Sequence, residues 1–254
     1  MSFSLRGKHA VVTGATGAIG FRIAAAFAER GSVVTLLSRS APDARLSLEH
    51  QLTTYQPDPE RKDMGDEFPE KHRFMRLDAT KSTMFKGLFR STVGPVDILV
   101  NCAGVSQTSF IKRTSDEDIR NILDTNLQSA ILASKYAKMN AHGCIINVSS
   151  LMANKNGAGA SVYAASKAGL VAFTRALATE YSPRSIRVNA LLPGWIASPM
   201  WDHLKPDIQQ QYLKDCPLRR VGQPDEVADA AIFLATNRFA NNCVLNLDGG
   251  LSAT

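Results

Sequence analysis

Short apolar runs alternate along this chain with longer stretches whose apolar residues recur every three or four positions. His9–Thr13 is the first such run and reads as a buried strand. After a glycine-rich turn, Ile19, Ile23, Ala26 and Phe27 fall on one helical face. That spacing predicts a helix over 19–30, stopped by Gly31. A second apolar strand is expected over 33–37. Strand, helix and strand in so short a span make the βαβ unit of a parallel sheet.

The alternation continues, with strands expected at 74–77, 96–100, 144–148, 186–191 and 244–247. Helices are expected over 115–140, 161–181 and 224–234. About seven parallel strands with intervening helices form an α/β, doubly wound sheet with helices on both faces. Residues 41–71 are the least regular part, with a polar, turn-rich stretch from Gln56 to Glu67. They predict a short helix followed by an exposed insertion inside one domain, 1–254. No internal repeat is visible beyond the strand–helix alternation.

Composition narrows the function classes. Hydrophobic residues make up 44% and charged residues 20%, a globular balance. No apolar run reaches the roughly 18 residues that a membrane span needs. Residues 1–8 carry no apolar leader core. The net charge is +6, but basic residues are interspersed with acids, and the densest groups are the pairs Arg61-Lys62 and Arg219-Arg220. That argues against a nucleic-acid partner. Cys102, Cys144, Cys216 and Cys243 are scattered, and so are the five histidines. No metal site or disulfide framework is expected, and a reducing compartment (cytoplasm or mitochondrial matrix) is.

The first turn reads Thr13-Gly14-Ala15-Thr16-Gly17-Ala18-Ile19-Gly20 between a strand and a helix. Glycines there let the backbone approach a pyrophosphate, and the helix N-terminus offers unpaired N–H groups. An NAD site places an acid at the end of the second strand, for the ribose hydroxyls. This chain has Ser38-Arg39-Ser40 instead, and a guanidinium pairs well with a 2′-phosphate. NADP(H) is the expected cofactor; the alternative is a plain surface arginine.

Tyr163 and Lys167 are four apart on an expected helix and share a face. Ser149-Ser150 and Asn101-Cys102-Ala103-Gly104 end strands at the carboxyl edge, where doubly wound sheets bind ligands. Carbonyl reduction needs a hydride and a proton. A free phenol has a pKa of about 10, and a nearby ammonium favours its ionised form. A serine hydroxyl can hydrogen-bond the oxygen on which charge grows.

Together these pieces, with Asp78, Asn126 and Pro193-Gly-Trp-Ile-Ala-Ser198, resemble the short-chain dehydrogenase/reductases over nearly the whole chain. The resemblance implies a Rossmann-type domain. Ser150 lies 13 residues before Tyr163, the usual family separation, and so is preferred to Ser149. By the same resemblance Tyr163 is the proton donor and Ser150 orients the carbonyl. Lys167 binds the nicotinamide ribose and lowers the tyrosine pKa, and Asn126 supports a water relay to Lys167. The turn residues Gly14, Thr16, Gly17, Ile19 and Gly20 hold the pyrophosphate. Ser38 and Arg39 lie at the adenosine ribose, and Asp78 and Ala79 flank the adenine. Asn101, Ala103 and Gly104 line the cofactor cleft. Pro193, Gly194 and the backbone near Ile196 hold the carboxamide, with Ser198 nearby. One departure is Ala18, which stands where the single-domain members have their middle glycine, with Gly17 one place earlier.

Within the family the chain is similar to 3-oxoacyl-[acyl-carrier-protein] reductases, through residues 99–105, 161–170, 217–227 and 247–250. That likeness implies NADPH-dependent reduction of a 3-oxoacyl thioester to the 3-hydroxyacyl thioester in fatty acid synthesis. An acyl carrier protein is an implied partner: Arg184 matches one basic position used for it, whereas the other is Ala141, with Lys138 close by. Residues 195–213, with Met200, Trp201 and Leu204, read either as a mobile apolar lid or as a surface helix packing its own aromatics. The small residues Ala164, Ala165, Ala168, Gly169, Ala172 and Ala176 on the Tyr163 helix permit close approach. The resemblance implies a homotetramer built there; tight packing within the chain is the alternative. Two further functions stay open: reduction of another ketone, for example in secondary metabolism, and a non-catalytic nucleotide sensor.

Overall fold

The computed structural model describes residues 4–57, 68–155 and 157–253. Seven parallel strands form one sheet in the order β3-β2-β1-β4-β5-β6-β7. They are β1 (His9–Thr13), β2 (Val33–Ser38), β3 (Arg73–Arg76), β4 (Pro95–Asn101), β5 (Lys138–Val148), β6 (Arg187–Pro193) and β7 (Val244–Leu247). Side chains alternate across a strand, so each contributes to two cores. Ala10, Val12, Val34, Leu36, Ile98, Val100 and Ile146 form one core with Ile23, Ala24 and Phe27 of α1 (Ala18–Glu29) and with Val227, Ala231 and Leu234. Val11, Leu37, Leu99, Ile145 and Val188 point the other way, toward Phe85, Phe89, Ala133 and Leu177. Near-continuous apolar strands follow from burial on both faces.

The chain runs β1, β2, β3 outward, then returns across β1 to β4. The connections on the two sides of β1 therefore diverge above its carboxyl end and leave a crevice between β1 and β4.

The fold is the expected doubly wound sheet, and the differences are local. The helix expected over 115–140 ends early. It consists of α4 (Asp116–Leu123), a π-helical segment Asp124–Gln128 and α5 (Ser129–Tyr136). The chain then turns extended, and Lys138 and Met139 pair with Pro95 and Val96. Burying Met139 (2% exposed) outweighs the helical tendency of its neighbours. Gly143 makes the path possible, because a Cβ there would lie 2.8 Å from the Asp97 carbonyl oxygen. A helix that the apolar spacing did not announce, α3 (Ser82–Ser91), buries Phe85 and Phe89 one turn apart, with their rings stacked 6.3 Å between centroids.

In the irregular stretch, the short helix is α2 (Ala41–Leu48), which buries only Ala41. Leu52 and Tyr55 then pack inward, and residues 58–67 of the expected insertion lie outside the described residues.

Candidate functional site

A cleft of about 600 Å³ opens at the carboxyl ends of the central strands. Its floor is the turn between β1 and α1. Gly14 adopts φ +66°, and a Cβ on it would lie 2.7 Å from the Ala103 Cα. A Cβ on Gly20 would lie 2.4 Å from the Gly14 carbonyl oxygen. Both positions need glycine, which lets the two backbones meet at the crevice. Gly17 is the N-cap of α1, at the ordinary φ of −76°. No side chain caps α1, and its first turn holds no acid. Ala18 is thus the first helical residue, a place that does not demand glycine. The uncapped N–H groups and the space kept by Gly14 and Gly20 fit a pyrophosphate.

The far end of the cleft is polar. The Thr16 hydroxyl donates to Ser38 Oγ at 3.0 Å and lies 3.1 Å from Ser40 Oγ. Arg39 lines this end, and among the described residues its guanidinium has no hydrogen bond or ion pair. Asp78 accepts from the Thr80 N–H and hydroxyl. Burial opposes its charge, but the Thr80 bonds and the Arg39 and Lys81 cations prevail and hold its pKa below the usual value.

At the near end, β5 delivers Ser150. Ser149 turns aside and donates to the Lys167 carbonyl at 2.8 Å. The Ser150 Oγ accepts from Met152 N–H and is hydrogen-bonded with Tyr163. Tyr163 and Lys167 lie one turn apart on α6 (Ser161–Glu180), with the Lys167 Nζ 5.8 Å from the Tyr163 ring centroid. Nζ donates to the Val148 carbonyl at 2.9 Å. Burial pulls the Lys167 pKa down to about 8, a shift that the nearby Cys102 partly opposes. Burial also raises the Tyr163 pKa; the Ser150 hydrogen bond pulls it down, and Cys102 pushes it up. Desolvation of the phenol outweighs the Ser150 bond and leaves the Tyr163 pKa above its usual value.

Of the residues singled out from sequence, Gly14, Thr16, Gly17, Ile19, Gly20, Ser38, Arg39, Asp78, Ala79, Ala103, Gly104, Ser150, Tyr163, Lys167, Pro193, Gly194, Ile196 and Ser198 all line the cleft. Asn101 and Asn126 do not, which corrects the placement of Asn101. Asn101 points into the core and donates to Ser134 Oγ and Asn147 Oδ1, so it ties β4 to β5 and α5. Asn126 lies in the π-helical segment. Its amide accepts from Val105 N–H and donates to the Val105 carbonyl and to Ser166 Oγ. Ser166 in turn donates to the Tyr163 carbonyl at 2.6 Å. Asn126 and Lys167 converge on Gly104, where a Cβ would lie 3.5 Å from Asn126 Oδ1 and 3.4 Å from Lys167 Nζ.

The wall after β6 is held by backbone hydrogen bonds, among them an isolated parallel bridge between Ile196 and Gly222. Gly194 N–H donates to the Leu247 carbonyl, and Trp195 and Ala197 exchange bonds with Gly222. Ser198 caps α7 (Pro199–Asp202), and α8 (Pro206–Asp215) follows. Trp201 packs 5.8 Å from Trp195 and 5.5 Å from Tyr212, ring to ring, so these aromatics satisfy one another. Met200 is left facing the cleft, 42% exposed. Sequence reasoning missed Met152, Asn121 and Thr125, which also line it; their place depends on the path of α4 and of the turn after Ser150. Among the described residues, no cluster of His, Cys, Asp or Glu could hold a metal ion, and no helix is long and apolar enough to cross a membrane.

Comparison with known proteins agrees with this geometry. Residues 14–252 match the family model described as enoyl-(acyl carrier protein) reductase. A 3-oxoacyl-[acyl-carrier-protein] reductase of Chlamydia muridarum is 33% identical over 99% of this chain and all of that protein. Carbonyl reductase family member 4 of Danio rerio is 36% identical over 96% of this chain and 98% of that protein. A solved short-chain dehydrogenase/reductase from Serratia marcescens superposes with a TM-score of 0.86 at 28% identity, covering 98% of this chain and all of that one.

Proposed function

The chain belongs to the short-chain dehydrogenase/reductase family, and we propose that within it the protein uses NADPH to reduce the keto group of a 3-oxoacyl thioester. The observation that carries the reading is the hydrogen-bonded Ser150–Tyr163 pair beside Lys167, at the end of the cleft opposite Arg39.

When bound, NADPH supplies the hydride that reaches the keto carbon. Tyr163 gives its phenolic proton to the keto oxygen. Ser150 donates a hydrogen bond to the same oxygen, where negative charge develops. The Lys167 ammonium favours the phenolate left behind and holds the ribose hydroxyls. Asn126 braces α6 through Ser166 and, with Lys167 across Gly104, supports a water relay by which solvent returns a proton to Tyr163. Arg39, with the hydroxyls of Thr16, Ser38 and Ser40, receives the 2′-phosphate, which selects NADPH.

The thioester reading draws on the relative from Chlamydia muridarum and on the Met152 and Met200 side chains, which offer an acyl chain an apolar wall. Met200 and its helix act as the lid. Arg184, exposed and bonded to the Met139 carbonyl at 2.5 Å, is the basic contact for an acyl carrier protein. The exposed Ala165, Ala168 and Ala172 of α6 support assembly as a homotetramer, whereas Gly169 is occupied by Leu127 of the same chain. The Danio rerio relative named as a carbonyl reductase, and Ala141 in place of a basic residue, favour a second reading: reduction of another ketone.

A substrate panel with NADPH and NADH tests the assignment. Turnover of acetoacetyl-CoA with NADPH is expected. No turnover of any 3-oxoacyl thioester, beside good turnover of an unrelated ketone, selects the second reading.

A further inference from the structure

We propose that Gln107 is a positioning residue for Tyr163: its side-chain amide caps the helix that carries the phenol and ties that helix to the loop after β4. The proposal rests on Tyr163 being the proton donor.

α6 begins without a cap of its own. Its N-cap residue is Ala160, which has no side-chain acceptor, and its first turn holds no acid. The opening N–H groups of a helix have no partner within it. Tyr163 is the third helical residue, so its own N–H is one of these. Gln107 reaches it from 56 positions upstream. The Gln107 Oε1 accepts from Val162 N–H at 2.8 Å and from Tyr163 N–H at 3.1 Å. The Gln107 Nε2 donates to the Ser109 carbonyl at 2.9 Å and to Thr114 Oγ1 at 3.1 Å. The side chain is only 9% exposed.

Only an amide serves all four partners. A carboxylate accepts from both N–H groups but offers nothing to the Ser109 carbonyl. A guanidinium donates but accepts nothing, and an aliphatic side chain does neither. The turn before α6 uses Gly159 at φ +80°, a backbone conformation that favours glycine. With Ser166 on its carbonyl, Tyr163 has both main-chain polar groups held by side chains, one of them from a different element. Fixing the Cα in this way fixes the phenol oxygen, and a displacement of about 1 Å at a reacting group can cost about 100-fold in rate.

The test compares Gln107→Leu and Gln107→Glu in the full chain. In the dinucleotide-free protein, Gln107→Leu is expected to speed hydrogen exchange at the Val162 and Tyr163 amides at least tenfold. Gln107→Glu, which keeps the acceptors, restores slow exchange. In NADPH-dependent reduction of acetoacetyl-CoA, Gln107→Leu lowers kcat about 10- to 100-fold while the Kd for NADPH stays within threefold. Gln107→Glu moves the alkaline limb of the kcat profile to higher pH, because a carboxylate at the start of α6 disfavours the phenolate. A merely structural role would leave that limb in place. Unchanged exchange in Gln107→Leu, or an unmoved limb in a folded Gln107→Glu, overturns the proposal. If the wild type turns over no 3-oxoacyl thioester, the substrate reading fails, while the exchange measurement still decides whether Gln107 holds the helix.

Discussion

The Lys167 Nζ lies 5.8 Å from the centroid of the Tyr163 ring and is hydrogen-bonded to the Val148 carbonyl at 2.9 Å. The amine is thus nearly buried (4% exposed) with a single neutral acceptor. Its pKa of about 8, against 10.5 for the free side chain, measures the cost of keeping it charged. Between these two values the unfolded chain binds more protons than the folded one. Stability therefore rises with pH from about 8 to 10.5, and at neutral pH the charged amine is a burden. Lys167→Met removes that burden, though it also removes the bond to Val148. A net gain on the order of 2 kcal/mol is expected for the dinucleotide-free protein in urea denaturation at pH 7. A loss of stability there contradicts the desolvation argument.

The same pKa bears on cofactor capture. The pH dependence of kcat/KM reports groups of the free enzyme. With Lys167 protonated below about 8, kcat/KM for NADPH should be level through neutrality and fall above that pH. Lys167→Arg stays charged through this range, so its profile should lack that fall even if the absolute rate is poor.

Tyr163→Phe keeps the ring and removes the proton. Binding of NADPH, followed by nicotinamide fluorescence, is expected to change little. Turnover should drop by about 10²- to 10⁴-fold, the usual contribution of a general acid. Retained turnover would falsify the role given to Tyr163.

The same residues show how far sequence alone carries. The strand ends bearing Ser150 and Gly104, and the four-residue spacing of Tyr163 and Lys167, were legible because burial patterns and helical period are local properties. Asn101 was misplaced toward the cleft because the rotamer of a side chain at a strand end is decided by its neighbours, here Ser134 and Asn147. The end of α5 was missed for a similar reason. Lys138 and Met139 suit a helix, and only pairing with Pro95 and Val96 makes them a strand. The capping role of Gln107 was not legible, since its partners Val162 and Tyr163 lie more than fifty positions away.

The proposed preference for NADPH puts the 2′-phosphate against Arg39, which lines the far end of the cleft. Hydrogen bonds to a charged group contribute roughly 1.5–3 kcal/mol, or about 10- to 100-fold in affinity. Arg39→Ala should raise the KM for NADPH by that factor and leave the KM for NADH nearly unchanged. Arg39→Asp should reverse the preference, since a carboxylate repels the 2′-phosphate and accepts from ribose hydroxyls. Equal losses with both cofactors would mean that Arg39 lies away from the 2′ position.

His72 makes the outer edge of the sheet sensitive to pH. Its Nδ1 lies 3.1 Å from the Val34 nitrogen and accepts that N–H, so Nε2 carries the proton and donates to the Thr53 carbonyl at 2.9 Å. The Val34 bond requires an unprotonated Nδ1, whereas the Thr53 bond survives in the charged ring. Burial lowers the His72 pKa, partly opposed by the Thr53 bond and by Glu49. The unfolded chain titrates near 6.5 and the folded chain lower. Across that window the unfolded state holds more protons, so His72 costs stability increasingly as pH falls below about 6.5. His72→Leu removes the titration but leaves the Val34 N–H buried without an acceptor, at about 1–3 kcal/mol. Urea denaturation at pH 7.5 should show that deficit against the wild type, and at pH 5.5 the deficit should shrink, because the wild type has lost part of its advantage. A deficit that is the same at both pH values means that the ring titrates alike in the folded and unfolded chains.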